Sequence, residues 1–386
     1  MSSFTPASRF DRSTWIELME RSPERSLELH PELVGLSQQA ALPPLVYADR
    51  KGGALHTLGV LDGKAMSALS PPQLSWLGRL QGYRLAGHEL AGALDRESAD
   101  RFVSAVIDQL GGQLGDFVFF EDIDVGTPLW DAVMARRAEP RVIFDVPHAP
   151  QPHWRIRFPK KPADYWSSMS RKSRYNSRRA ARQFEHEIER YTAPEQIADF
   201  LARAEHISER SWQGRRLGIR MKRDARHQAR LGAIAALGAL RCYVLTHQQA
   251  PVAFVFGWQW NGRYEYEEIG YDSAFIEQSP GRVLLFRILE DLIADDCPRV
   301  LDFGCGDAVY KRIFGNDEGE SGALLLAANH LRGKLWANIR WARKRVDQDA
   351  RALLRRAGLY EHARRLYRRV GSGSADAGAD DSPSGD

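Results

Sequence analysis

The chain has 386 residues, 43% of them apolar, and a formal charge of +4, which is more chain than one small core needs and leads us to expect two domains of ordinary size. Three cysteines, Cys242, Cys297 and Cys305, make neither a disulfide framework nor a metal-ligand spacing, so a reducing compartment and chemistry without a metal are expected. The N-terminus has no signal-type apolar core, and no run approaches the roughly 18 to 20 apolar residues that span a bilayer; the expectation is a cytoplasmic protein.

Taken in order, Trp15, Ile16, Leu18 and Met19 predict a first helix, and residues 45–61 two strands joined around Lys51-Gly52-Gly53. Residues 83–87 read as a short strand. The apolar spacing of Phe102, Val103, Val106, Ile107 and Leu110 predicts a helix over 99–111, followed by a buried strand over 116–120. Residues 147–162, with five prolines and two lysines, predict a domain boundary. Ser170 then caps a helix whose cations Lys172, Arg174, Arg178, Arg179 and Arg182 wrap most of its circumference; the plain reading is a solvated basic face. An amphipathic helix is expected over 195–210, a mobile loop over 212–220, a helix over 226–240 and a sheet from Arg241 onward. Asn261-Gly262 between the runs 252–260 and 264–271 predicts a hairpin with a type I′ turn. From Arg332 onward thirteen Lys or Arg stand against Asp347, Asp349 and Glu361, so 323–370 reads as basic helices that either pack on the second domain or lie on an anionic membrane surface. Residues 371–386 have nothing to bury and read as a disordered tail.

One stretch organises the rest. After the hairpin comes Gln278-Ser279-Pro280-Gly281-Arg282-Val283, in which Ser279 is expected as N-cap and Pro280 as first helical residue. Gly281 lets an anion approach the unpaired amides of Gly281, Arg282 and Val283, where the helix dipole and the Arg282 cation favour negative charge. The alternative is a well-capped surface helix. Alternation along the preceding strand puts Glu265 and Glu267 on one face and Glu268 on the other with Tyr264, Tyr266 and Gly270, which makes Glu268 the preferred general-base candidate. The helix and strand pattern at 282–303 repeats that at 101–120, so two copies of one unit are inferred. Asp95, Glu97 and Asp100 replace Ser-Pro-Gly-Arg in the first copy and would repel a diphosphate, leaving only the second copy to bind one.

Gln278-Ser279-Pro280-Gly281-Arg282-Val283 resembles the Q/R-x-x-G-x-G/A loop with which GNAT-fold acyltransferases hold the pyrophosphate of acyl-CoA, with Val283 in place of the last small residue. Gly270-Tyr271-Asp272, Ser279-Pro280-Gly281, Asp302-Phe303-Gly304, Gly306-Asp307 and Tyr310-Lys311 together are similar to the cellulose-biosynthesis-type branch, related to FemAB-like double-GNAT proteins. The resemblance covers 161–315. It implies an α+β protein of two tandem GNAT-like lobes, 1–155 degenerate and 156–322 binding acyl-CoA as co-substrate, with mixed, largely antiparallel sheets flanked by helices. It further implies acyl transfer to an amine or hydroxyl of a cell-envelope polysaccharide or sugar precursor. Tyr310 matches the tyrosine that stands near the thioester sulfur; Asp302 and Asp307 are candidates to orient the acceptor or Lys311, or form a buried ion pair. Lys172 and Arg174 match the entry to the second domain and are candidates for an anionic substrate or the CoA phosphates.

Two other classes stay open: a FemAB-like transferase using charged tRNA, for which Lys172, Arg174 and Arg178 become nucleic-acid contacts, and a non-catalytic assembly protein of an envelope-synthesis complex. Residues 300–306 also read like the glycine-rich motif of an S-adenosylmethionine methyltransferase. The helical pattern after Gly306 and the lack of another glycine at Ala308 or Val309 argue against that fold.

Overall fold

The structure, a computed structural model, describes residues 3–36, 42–67, 79–217 and 221–341. The described residues fall into two compact units, the first drawing on 3–15, 42–149 and 322–341, the second on 16–36 and 150–321. Both are mixed sheets flanked by helices, an α+β fold.

In the first unit β1 (Ser3–Pro6), β2 (Leu45–Lys51), β3 (Ala54–Ser67) and β4 (Arg79–Leu85) form antiparallel neighbours, with the short β5 (Ala91–Gly92) also against β3. β4 then runs parallel to β6 (Phe117–Asp124). α1 (Arg12–Glu20) passes from one unit into the other, α2 (Arg96–Gln109) is the crossover between β4 and β6, and α3 (Pro128–Met134) packs on α2. Phe102, Val103 and Val106 of α2 are fully buried with Tyr47, Leu61 and Phe120, each such side chain contributing about 1.5–3 kcal/mol of transfer free energy. β7 (Val142–Asp145) closes this unit against residues 325–328.

The second unit contains β8 (Gln151–Arg157), α4 (Tyr165–Ser168), α5 (Arg171–Gln183), β9 (Glu187–Tyr191), α6 (Ile197–Arg210), α7 (Trp212–Leu217), α8 (Ala225–Ala236), β10 (Cys242–His247), β11 (Ala250–Trp260), β12 (Arg263–Tyr271), α9 (Pro280–Ala294), β13 (Val300–Cys305), α10 (Val309–Phe314) and the first part of β14 (Asp317–Ala328). Its strands lie in the order β14-β8-β13-β12-β11-β10-β9. All neighbours are antiparallel except β12 and β13, which α9 joins as α2 joins β4 and β6. One face of this sheet carries α5, α9 and Phe314 of α10 in a core with Tyr264 and Tyr266. The other carries α6, α8, Leu27 and Leu33 in a core with Phe254, Phe256 and Trp258.

The hairpin forms as expected, with φ of 46° at Asn261 and 85° at Gly262, the doubly left-handed turn that Asn-Gly favours. Ser170 caps α5 by accepting from the Ser173 amide at 3.1 Å. The two units divide at 149/150, inside the proline-rich stretch 147–162. Other expectations are corrected. β8 also lies inside that stretch, where Pro152 occupies a ladder position opposite Glu320. Residues 324–328 are strand, not helix, because 323–327 are buried small and aliphatic side chains; helix resumes only over 331–341. Trp212 opens the short helix α7, and the segment 16–36 belongs to the second unit. The expected basic helices beyond 341 and the tail 371–386 lie outside the described residues.

Candidate active site

The site is built where two parallel strands part. β12 and β13 pair through Arg263 with Val300, Tyr264 with Leu301 and Glu265 with Asp302, and there the ladder ends, although β12 continues to Tyr271 and β13 to Cys305. Beyond Glu265 the edge of β12 that faced β13 has no strand partner among the described residues, so its main-chain donors and acceptors are available to an extended ligand.

α9 starts at the end of β12. Ser279 is not the expected cap: it sits at φ 53°, ψ 53°, and its side chain makes no cap hydrogen bond. Its carbonyl instead accepts the Arg282 and Val283 amides at 3.0 and 3.1 Å, so two of the three amides expected to be unpaired close the first turn. The Gly281 amide has no protein partner among the described residues. A Cβ on Gly281 would meet Tyr271 Cδ1 at 3.5 Å, an ordinary contact, so the glycine keeps the helix mouth open without being required by the backbone. Gln278 and Ser279 are exposed. Arg282 is half-buried with no side-chain partner among the described residues, and burial pulls its pKa down, as expected of a guanidinium short of an anion.

Glu268 departs from the strand alternation. The register slips between Phe256 and Gly257, so Glu268 stands opposite Phe256 and Tyr266 opposite Gly257, with Glu267 as the extra residue of a bulge. Directly paired residues share a face, so Glu268 lies with Glu265 on the α6 and α8 side, away from Tyr264 and Tyr266. Its half-buried carboxylate makes no hydrogen bond or ion pair among the described residues. Burial pushes its pKa up, Glu267 adds to this, and His227 and Arg230 oppose it.

Tyr310 is on the other face. Its ring packs 6.2 Å from Tyr266 and 5.8 Å from Phe303, one on each side of the parting strands. Burial raises its pKa, so the phenol keeps its proton, and its hydroxyl has no partner among the described residues.

The remaining candidates are occupied. Asp302, 1% exposed, receives His153 Nε2 at 2.7 Å, Arg155 Nε at 2.9 Å, an Arg263 terminal nitrogen at 3.0 Å and the Gly304 amide at 2.7 Å. Burial alone would raise its pKa, but Arg263, the His153 hydrogen bond and Arg155 outweigh it and hold the carboxyl well below its ordinary range. Lys311 Nζ donates to the carbonyls of Gly304, Cys305 and Gly306, each at 3.0 Å, tying the β13–α10 loop rather than facing a substrate. Asp307 Oδ2 holds Arg312 at 2.7 Å, while its buried Oδ1 has no partner. Lys172 is exposed, and the half-buried Arg174 donates to the Trp166 carbonyl at 2.8 Å. Cys305 pairs across the ladder with His153, yet both ring nitrogens of that histidine are already engaged, by Asp302 and by Arg155. Arg230, His227, His153 and Arg263 carried no signal in the sequence, because each is recruited by a fold contact from a distant position.

Residues 171–312 match the family model described as Acetyltransferase (GNAT) domain. Among solved structures, that of FemX superposes with a TM-score of 0.62 at 11% identity, covering 88% of this chain and all of FemX. A conserved protein of unknown function from Bacteroides thetaiotaomicron gives 0.50 at 13% identity, covering 85% of this chain and all of that one. A tandem GNAT protein from the clavulanic acid biosynthesis pathway gives 0.43 at 12%, with 85% and 98% covered. A search of curated proteins finds no match. Residues 171–312 are thus similar to a GNAT domain, within a fold shared with FemX. Among the described residues no helix is long and apolar enough to cross a membrane, and no group of three or more His, Cys, Asp or Glu is placed to hold a metal ion.

Proposed function

We propose that the second unit transfers an acyl group from acyl-CoA to an amine or hydroxyl, with Glu268 as general base and Tyr310 as general acid. The observation that carries this reading is a contrast: around the parting strands Asp302, Lys311 and Arg263 are held by protein partners, whereas Glu268, Tyr310 and Arg282 have no hydrogen-bond or ion-pair partner among the described residues, and each of these three is desolvated. Groups left buried and unpaired are costly, and a ligand that pairs with them recovers that cost.

In this reading the diphosphate sits at Gly281 and Arg282, and the pantetheine follows the open edge of β12 between the strands. The acceptor approaches from the α8 side. Its N–H or O–H proton passes to the Glu268 carboxylate as the new bond to the acyl carbon forms; the carbon–sulfur bond then breaks, and Tyr310 protonates the departing thiolate to give free CoA, after which Glu268 loses its proton to solvent and Tyr310 regains one from it, restoring both groups. A cellulose-biosynthesis-type role, with a cell-envelope polysaccharide or its precursor as acceptor, rests on the motif resemblance alone. A charged-tRNA donor is the second reading, favoured by α5: six cations, no carboxylate, and Tyr175 63% exposed; binding of that kind falls steeply with salt.

A thermal-shift panel of acetyl-CoA, longer acyl-CoAs, S-adenosylmethionine and bulk tRNA tests the choice, since a ligand of the native state at 100 times its Kd adds about 2.7 kcal/mol. An acyl-CoA shift that disappears in Gly281→Glu supports the reading. A full shift in that variant removes the site from α9.

A further inference from the structure

The base stands on a bulge, and something has to hold the bulge. Arg230 of α8 reaches Glu267 at 3.4 Å and Glu28 at 2.9 Å from the same terminal nitrogen, with its guanidinium 5.5 Å from the Phe256 ring and 5.0 Å from the Trp258 ring. Burial disfavours its charge, and Glu267 and Glu28 more than restore it. Glu28 lies in the segment 16–36, which interrupts the first unit in sequence but belongs to the second. The segment is tied down along its length: Asn261 Nδ2 donates to the carbonyls of Met19, Glu20 and Ser22 at 3.2–3.3 Å, the Glu24 amide donates to the Asn261 carbonyl at 3.0 Å, and Arg226 reaches the Leu36 carbonyl at 3.3 Å. Leu27 and Leu33 are buried against α6 and α8.

We propose that Arg230 is the positioning residue of the catalytic carboxylate, clamping the Glu267–Glu268 bulge to Glu28, so that residues 16–36 are a working part of the second unit's active site. This rests on Glu268 acting as the base. The titratable groups that act on Glu268 are His227 and Arg230 from α8 and Glu267 from its own strand; α6 also packs on β12 and contributes none. Arg230 therefore does two separable things. Its charge favours the ionised carboxylate, and its planar guanidinium, seated on the Phe256 and Trp258 rings, aims one terminal nitrogen at two acidic partners, a stacked seat that a lysine ammonium does not reproduce.

The test uses the full chain labelled with 13C at the glutamate carboxyls, the Glu268 resonance being assigned by its loss in Glu268→Gln, together with amide hydrogen exchange. In Arg230→Gln the Glu268 titration midpoint moves up and exchange over residues 24–36 accelerates. In Arg230→Lys, the milder change should the first variant fold poorly, the midpoint stays near that of the parent while exchange still accelerates. Glu28→Gln accelerates exchange without raising the midpoint. An unmoved midpoint in folded Arg230→Gln, or unaltered exchange in Arg230→Lys, overturns the proposal. Turnover of Glu268→Gln with acetyl-CoA is scored separately: retention there sinks the base assignment itself, whereas its loss alongside an unmoved midpoint in Arg230→Gln sinks only the clamp.

Discussion

Asp302 and Glu268 are carboxylates on one face of the same sheet, and their surroundings push them apart. Asp302 has four donors and stays ionised; Glu268 has none and is held toward its neutral form by burial. Replacing Asp302 by Asn removes the buried carboxylate that Arg155, Arg263 and His153 share, with Glu265 still beside Arg263, and a loss of about 3–5 kcal/mol is expected from breaking a buried pair on one side, measured by denaturant unfolding. The pH signs of the two differ. The folded Asp302 pKa is depressed, so its stabilisation is present above the unfolded value of about 4 and is lost as pH falls below it; Asp302→Asn flattens that acid limb. The folded Glu268 pKa is raised, so Glu268 weakens the fold as pH rises through its titration, and Glu268→Gln removes this effect. In the proposed mechanism the same ionisation switches the base on, so acyl transfer is expected to climb with pH beyond the ordinary glutamate range. Glu268→Gln is expected to cut turnover by roughly 10²–10⁴-fold while leaving the acyl-CoA thermal shift intact; undiminished turnover excludes the role.

Elements with strong local signals were legible in the sequence, and those decided by their neighbours were not. Asn261-Gly262 dictates its own turn, and the apolar spacing of Val283, Leu284, Ile288 and Leu292 dictates α9. β8 was hidden because prolines mark breaks in a sequence, yet Pro152 is tolerated where it sits. The 323–327 run of buried small and aliphatic residues reads equally as helix until β7 pairs with its second half. The face of Glu268 was misread because a bulge inserts one residue and inverts the parity that simple alternation assumes. Ser279 was read as a cap from its residue type, whereas its backbone lies in the left-handed region and its carbonyl does the work. That difference is measurable. Losing a true serine cap costs about 0.5–2 kcal/mol; at a left-handed position with no cap bond, Ser279→Gly relieves about 1 kcal/mol of strain, offset in part by the extra chain entropy of glycine. Stability unchanged or raised by up to about 1 kcal/mol is therefore expected on denaturation, and a clear loss restores the capping role.

At the scale of the molecule the chain uses one unit twice and differentiates the copies at a helix mouth. Both crossovers, β4–α2–β6 and β12–α9–β13, join parallel strands with a helix whose apolar face is fully buried. At α2 the mouth is closed by the protein's own anion: Asp95 accepts the Ser98 amide at 2.7 Å, and Glu97 follows, paired with Arg101. A diphosphate there meets carboxylates where it needs amides, and the helix dipole is already satisfied. At α9 no acidic residue occupies the first turn, the Gly281 side is open, and Arg282 supplies a cation. The two mouths therefore differ in charge sign as well as shape, and a single acyl-CoA per chain is expected. Isothermal titration with acetyl-CoA should give a stoichiometry of one, falling to no measurable binding in Gly281→Glu and staying at one in Asp95→Asn, because removing one carboxylate from α2 leaves Glu97 and Asp100 and creates no cation. Two sites in the parent chain, or binding that survives Gly281→Glu and is lost in a matched change at α2, assigns the nucleotide to the first unit and reverses the order of the copies.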